Sequence, residues 1–199
     1  MKITGIKAQT RNAERVSVYV DGKYAFSLNH AQLLEQHLHA GLELTDARLA
    51  DLKHISDFGK AYERSLMFAM LRPRSVREMR DYFRRKKITP EDAEVILQKL
   101  CDRRYVNDAA FAKSWVESRA LGQKTSAKKL RLELKQKGIA DDVIAEVLSA
   151  NQTYDEQLAL ANLIAKKRRQ TKYQDRDKLL QYLARQGFGF DDIVRALDA

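Results

Sequence analysis

One 21-residue pattern recurs three times along this chain, and its recurrence limits the fold more than any single motif does. It reads REMRDYFRRKKITPEDAEVIL at residues 77–97, KKLRLELKQKGIADDVIAEVL at 128–148 and DKLLQYLARQGFGFDDIVRAL at 177–197. The copies align without gaps at offsets of 51 and 49 residues. Five apolar columns coincide: Met79, Leu130 and Leu179; Phe83, Leu134 and Leu183; Ile88, Ile139 and Phe188; Ala93, Ile144 and Ile193; Leu97, Leu148 and Leu197. A fixed period of this length marks tandem supersecondary units whose neighbours share a hydrophobic core.

From residue 57 onward every segment has helical spacing, and each repeat is expected to hold three helices, the recurrent pattern supplying the second and third. In the first repeat the opening helix should run from about Asp57 to Leu71, stopped by Pro73. Ser75 and Glu78 then form a capping box, and Thr89 with Pro90 starts the third helix. In the second repeat Asn107 and Ser126 are N-caps, Gly122 and Gly138 end helices, and Asp141 opens the third. In the last repeat Thr153 and Glu156 are expected to form a capping box, with Gly187 taking the role of Gly138.

The first stretch is different. Ile3, Ile6 and Ala8 suggest a short strand. Val16, Val18 and Val20 alternate up to Asp21-Gly22, and Tyr24, Phe26 and Leu28 alternate back. That is a β-hairpin with a type I′ turn. A lone hairpin is unstable in water, so a third strand or a covering helix must shield it. Residues 30–39 and 46–55 have helical spacing and can provide cover. The expected fold is therefore mainly α, three tandem three-helix repeats in an elongated array preceded by a small β-hairpin and helix region. The expected boundaries are 1–56 for the hairpin region and 57–107, 108–152 and 153–199 for the repeats.

The formal net charge is +10, and all of the surplus lies in the repeats: residues 1–59 carry seven basic and seven acidic side chains. Such a balance fits a polyanionic partner, nucleic acid or an acidic protein surface, although a cationic surface also serves solubility. A single cysteine, no apolar stretch long enough to span a bilayer and no apolar segment after the first Lys indicate a soluble cytosolic protein with no membrane association.

No catalytic or metal constellation emerges, so no enzyme activity, metal or cofactor is expected. Gly22-Lys23 and Gly59-Lys60 lack the Ser or Thr and the leading Gly of a phosphate loop. The four histidines (30, 37, 39 and 54) have no shared geometry for a metal. Glu133 and Lys135 have a spacing found in some nucleases but flank Leu134 on a helix, and Cys101 reads as an incidental thiol.

The basic residues are more informative. Arg77, Arg80 and Arg84 share an arc of roughly 60° at 100° per residue. Their equivalents in the second repeat are Lys128, Arg131 and Lys135. In the third they are Asp177, Leu180 and Ala184; the cations there are Lys166, Lys167, Arg168 and Arg169, near the end of the first helix. Two matching ridges and one divergent cluster are the candidate binding surface. Phe83, Phe111 and Trp115 sit at core spacing and are not expected to stack on bases.

At these residues the chain resembles the RecX family of regulatory proteins. The resemblance covers about residues 60–199 and rests on SVREMRDYF, on LCDRRYVNDAAFAKSWVESR at 100–119, on KLRLELKQKGI at 129–139 and on QYLARQGFGFDDI at 181–193. The segment with Tyr105, Asn107, Asp108, Phe111, Ala112 and Trp115 is the most specific. No function is carried onto the first 56 residues. The resemblance implies three tandem three-helix repeats lodged in the groove of a RecA–DNA filament. It also implies a modulator, usually an inhibitor, of recombinase, ATPase and co-protease activity in DNA repair and the SOS response. The expected partners are thus the RecA filament and, weakly or through it, DNA, bound by a monomer. A free-standing helical DNA-binding protein is the competing reading.

Overall fold

A computed structural model of the chain describes all residues except 11, 123–124, 151–153 and 199. Three strands come first: β1 (Ile3–Gln9), β2 (Asn12–Val20) and β3 (Lys23–Asn29). They form one antiparallel sheet in the order β1-β2-β3, with Val18 opposite Ile6 on one side and Phe26 on the other. The expected third strand is therefore β1. Asp21 and Gly22 have φ of +47° and +80°, as a type I′ turn requires. Alternation puts Val16, Val18, Val20, Phe26 and Leu28 into one core with Ile3, Leu38, Leu44 and Leu52. Helices α1 (His30–Glu35) and α2 (Asp46–Met70) follow.

Two helical expectations change here. The segment at 30–39 is helical only to Glu35, because His37 takes φ of +52° and breaks the turn. Asn29 caps α1 in a full capping box with Gln32. The segments at 46–55 and 57–71 are one helix, α2. No Gly, Pro or cap interrupts residues 55–58 strongly enough to break the backbone ladder, and Gly59 is tolerated inside it.

The remaining helices are α3 (Val76–Lys86), α4 (Pro90–Asp102), α5 (Asp108–Ala120), α6 (Ala127–Gln136), α7 (Asp141–Ala150), α8 (Glu156–Arg168), α9 (Arg176–Arg185) and α10 (Phe190–Asp198). The chain is thus mainly α, with helical repeats following the sheet. It divides into two compact units, residues 1–68 with 88–92, and residues 69–87 with 93–199.

The aligned columns are the repeat cores. Met79, Leu130, Leu179, Phe83, Leu134 and Leu183 are all buried. In the second repeat Phe111, Ala112, Val116, Leu130, Leu134, Ile139 and Ile144 form one cluster; in the third, Leu160, Leu163, Ile164, Leu179, Leu183, Phe188, Ile193 and Leu197 form another with Ala159. Three column members, Ile88, Ala93 and Leu148, are only half-buried.

The helix caps at Asn107 and Ser126 form as expected, and Thr89 Oγ1 accepts from the Asp92 N–H. Gly138 and Gly187 have φ of +81° and +93°. Gly122 does not: α5 already ends at Ala120, and Gly122 follows without a left-handed turn. Ser75 caps α3, but the box is half made, because the Glu78 carboxylate turns to Arg72 and Lys137 instead of to the Ser75 N–H. The expected Thr153 cap lies outside the described residues; Asp155 caps α8 by accepting from Gln157 and Leu158.

Candidate binding surface on the helical repeats

The surface is built on joints between successive repeats, and the second unit contains the same joint twice. At the first, the fully buried Ser75 hydroxyl donates to the Lys137 carbonyl at 2.9 Å, and Asp108 Oδ1 accepts from the Val76 N–H at 2.8 Å. At the second, Ser126 donates to the Gln186 carbonyl at 2.7 Å, and Glu156 Oε1 accepts from the Ala127 N–H at 2.9 Å. Each bond satisfies a group that a helix terminus would leave orphaned, so both helix ends are closed by the neighbouring repeat. Gly138 and Gly187 complete the match: the stem of Arg77 lies against the first, and that of Lys128 against the second. The first cation of each ridge is thus positioned by the joint.

The two joints differ in charge. At the first, Glu78 accepts from Arg72 at 2.9 Å and from Lys137 at 3.0 Å, with Arg74 at 3.9 Å. Burial pushes its carboxyl upward, but the hydrogen bonds from Arg72 and Lys137 outweigh this and hold it below the usual carboxylate range. The aligned residue at the second joint is Lys129, which donates to Gln186 Oε1 at 3.0 Å. Sign is reversed at equivalent positions.

The ten candidate cations fall into three places. Arg77, Arg80 and Arg84 are exposed on α3; Arg80 pairs with Glu94 at 3.2 Å and Arg84 with Asp81. Lys128, Arg131 and Lys135 line a groove of about 420 Å³, formed by α6 and the end of α9 and lined also by Lys129 and Arg185. Lys135 pairs with Asp141 at 2.8 Å. Lys166, Arg168 and Arg169 are exposed at the end of α8, and Arg168 donates to the Leu197 carbonyl. Lys167 is instead half-buried over the rings of Tyr173 and Tyr182, at 5.0 and 4.6 Å, a contact that links α8 to α9 within the third repeat. Arg185 escaped the sequence reading because the helical wheel of α6 alone does not show what α9 brings beside it, and Lys129, on α6, because it aligns with the acidic Glu78 and not with a ridge cation.

The aromatic expectation holds for Phe83 and Phe111, both buried. Trp115 is half-buried between Arg119 and Lys137, and its Nε1 donates to Glu133 at 2.9 Å. Glu133 also accepts from Arg119, so it is fixed as a structural acceptor. Cys101 is half-buried; burial, with Asp108 and Asp102 adding to it, pushes its thiol upward and away from thiolate chemistry. Among the described residues there is no cluster of three or more His, Cys, Asp or Glu that could hold a metal, and no helix long and apolar enough to cross a membrane.

A small antiparallel sheet followed by helical repeats, jointed by repeated cap contacts and carrying exposed cations, defines a tandem helical-repeat protein. The family model described as "RecX, second three-helix domain" matches residues 107–148, and the one described as "Regulatory protein RecX N-terminal domain" matches residues 1–45. The chain is 34% identical over 201 residues to regulatory protein RecX of Bacillus velezensis, covering 98% of this chain and 76% of that protein. To regulatory protein RecX of Bacillus subtilis it is 32% identical over 200 residues, with the same coverage. The crystal structure of a regulatory protein RecX superposes with a TM-score of 0.79 at 26% identity, over 100% of this chain and 99% of that one. The crystal structure of RecX from Lactobacillus salivarius gives 0.60 at 26% identity, over 71% and 95%. The chain belongs to the RecX family of regulatory proteins. Membership extends over the sheet region, which the sequence resemblance had left out.

Proposed function

We propose that the chain is a non-enzymatic regulator of the RecA recombinase. It lodges in the groove of the RecA–DNA filament as a monomer and lowers recombinase, ATPase and co-protease activity during DNA repair. The observation that carries the reading is membership of the RecX family, with relatives named as regulatory proteins matching 98% of this chain. The surface supports it physically. Two repeats present exposed cations from equivalent helices, and jointed units suit a long, repetitive partner better than a compact one. Contacts of this kind compete with protomer addition and strand exchange, and they weaken with salt.

The test is RecA-catalysed, DNA-dependent ATP hydrolysis and strand exchange with this chain added below stoichiometry. A graded loss at low ratios is expected. The competing reading, a free-standing DNA-binding protein, draws on the same cationic surface. It predicts tight, sequence-selective duplex binding without RecA and no effect on RecA turnover.

A further inference from the structure

The groove between α6 and the end of α9 has a charged lining made only of cations: Lys128, Lys129, Arg131 and Lys135 from one helix and Arg185 from the other. Among the described residues, the side chains of Lys128, Arg131 and Arg185 take part in no ion pair or hydrogen bond, and the acid of α6, Glu133, is held by Trp115 and Arg119. Among the described residues, the one acid paired with a lining side chain is Asp141, on Lys135. The end of α9 adds a partial negative charge of at most about half a unit, reduced where Ser126 donates to the Gln186 carbonyl and outweighed by the four cations of the lining that no acid pairs. Field lines from such walls converge in the groove and draw in an anion.

The first joint supplies an internal comparison. There the protein provides its own anion, Glu78, set between Arg72 and Lys137. At the second joint Lys129 stands in place of Glu78 and Gln186 in place of Lys137, so the bound carboxylate is absent there and Lys129 donates to Gln186 Oε1 instead.

We propose that this groove seats the phosphodiester backbone of a nucleic-acid strand, with Arg131 and Arg185 contacting phosphates from two different helices. The inference deepens the regulatory reading by naming what the ridge of the second repeat touches. Lys128 and Lys135 are seven residue steps apart with Arg131 between them, roughly 10 Å of helix, or about three nucleotide steps at 3.4 Å each. A strand carries charge at fixed intervals on its backbone, whereas an acidic protein segment must order one flexible side chain per carboxylate. The guanidinium fork also matches phosphate oxygens two at a time. Leu132, 57% exposed in the same lining, offers apolar surface to a sugar or base.

The experiment is fluorescence anisotropy of labelled oligo(dT) of 20 nucleotides against the full chain over a salt series. It is repeated with Arg131→Gln/Arg185→Gln and with a control, Lys53→Gln/Lys113→Gln, whose lysines are exposed elsewhere and unpaired among the described residues. The groove variant should flatten the slope of log K on log salt by about 1.4, at 0.7 per single-strand phosphate, and weaken binding on the order of tenfold at 0.1 M salt. The control should keep the wild-type slope. An unchanged slope in the groove variant, an equal loss in the control, or no binding by the wild type at low salt overturns the proposal. So does tighter binding of poly-glutamate than of the oligonucleotide, which would assign the groove to an acidic protein. RecA-dependent ATP hydrolysis, measured on the same proteins, decides the regulatory reading separately.

Discussion

A Cβ built on Gly138 would stand 2.8 Å from the Cβ of Arg77, in a residue whose φ is +81°. Two independent constraints therefore meet at one glycine: a left-handed helix end and the close approach of the preceding repeat. An L-residue in that conformation costs roughly 1–2 kcal/mol, and the contact with Arg77 adds to it. Gly138→Ala should destabilise the chain by about 2 kcal/mol or more in urea unfolding. Gly122→Ala is the control, since its φ is not left-handed and its nearest neighbour, the Arg119 carbonyl oxygen, lies at 3.4 Å. Equal effects at the two glycines would show that the joint does not constrain Gly138.

The serine at each joint does two jobs that different residues could separate. Ser75 Oγ accepts from the Glu78 N–H at 3.2 Å and donates to the Lys137 carbonyl. Asp is as good an N-cap as Ser, yet its carboxylate cannot donate and would face a carbonyl oxygen. The aligned residue of the third repeat is Asp175, which caps α9 from an exposed position. Ser75→Ala should cost about 2 kcal/mol, one part for the cap and one for the stranded carbonyl. Ser75→Asp should cost more than Ser75→Ala, the reverse of their order in an isolated helix. Thermal melts of the three proteins give the ranking, and a Ser75→Asp protein as stable as wild type would remove the interrepeat bond from the account.

Much of this was legible in the sequence, and all but one of the missing parts share a cause, contacts between distant segments. The columns through Met79, Leu130 and Leu179 could be read because helix periodicity repeats within each copy. The Asp21-Gly22 turn could be read because its chemistry is local. The joint could not, since Ser75 reaches Lys137 across 62 residues and nothing in a single copy signals the bond. The half-made box at Ser75 failed for the same reason: the distant Lys137 competes for Glu78. Arg185 was invisible because its place in the groove depends on how α9 lies beside α6. The continuity of α2 was misread because the repeat frame suggested a break that no local stop signal supported.

Two carboxylates at the first joint should respond to pH with opposite signs. Glu78 is held below the usual range, so its contribution is present above its unfolded value of about 4.3 and is lost as pH falls through the folded value. Burial lifts Asp108, with the Val76 N–H and the charge of Arg80 opposing only in part. Its contribution is complete below the unfolded value of about 3.9 and is lost as pH rises through the folded value. Glu78→Gln should therefore lower stability at pH 7, with the difference shrinking as pH falls below about 4. Asp108→Asn keeps an acceptor for Val76 and should match or exceed wild type at pH 7. Urea midpoints at pH 7 and pH 3.5 test both; same-sign changes at pH 7 would contradict the assignment.

The sheet unit depends on one buried cation. Arg15 is 5% exposed, donates to both oxygens of Glu63 at 2.8 Å, and reaches the Ser27 carbonyl at 2.8 Å. It ties β2 and β3 to α2 within the first unit. Removing Glu63 leaves a buried guanidinium without its counter-charge, a change that costs about 3 kcal/mol in comparable sites. Glu63→Ala should therefore destabilise more than Arg15→Met, which replaces the cation with an apolar side chain of similar length. The comparison needs a probe local to the sheet, such as amide exchange at Val16 and Val18. A larger loss of protection in Arg15→Met would mean that the Ser27 contact, not the ion pair, dominates.

Charge reversal on the ridges separates folding from regulation only at chosen positions. Arg77 and Lys128 pack their stems on Gly138 and Gly187, so Glu at either place disturbs a joint as well as a surface. Arg84 and Arg131 are exposed and free of that role. Arg84→Glu sets a like charge beside Asp81 one turn away, at a cost of about 0.3 kcal/mol. Arg84→Glu/Arg131→Glu should consequently melt within a few degrees of wild type and keep its helicity by circular dichroism. In the RecA ATPase assay, it should need at least on the order of tenfold more protein for half-maximal inhibition, as expected when two contacts to a polyanion become repulsive. Inhibition at the wild-type dose would show that the filament is met by another face, leaving the ridges as solvated helix surface.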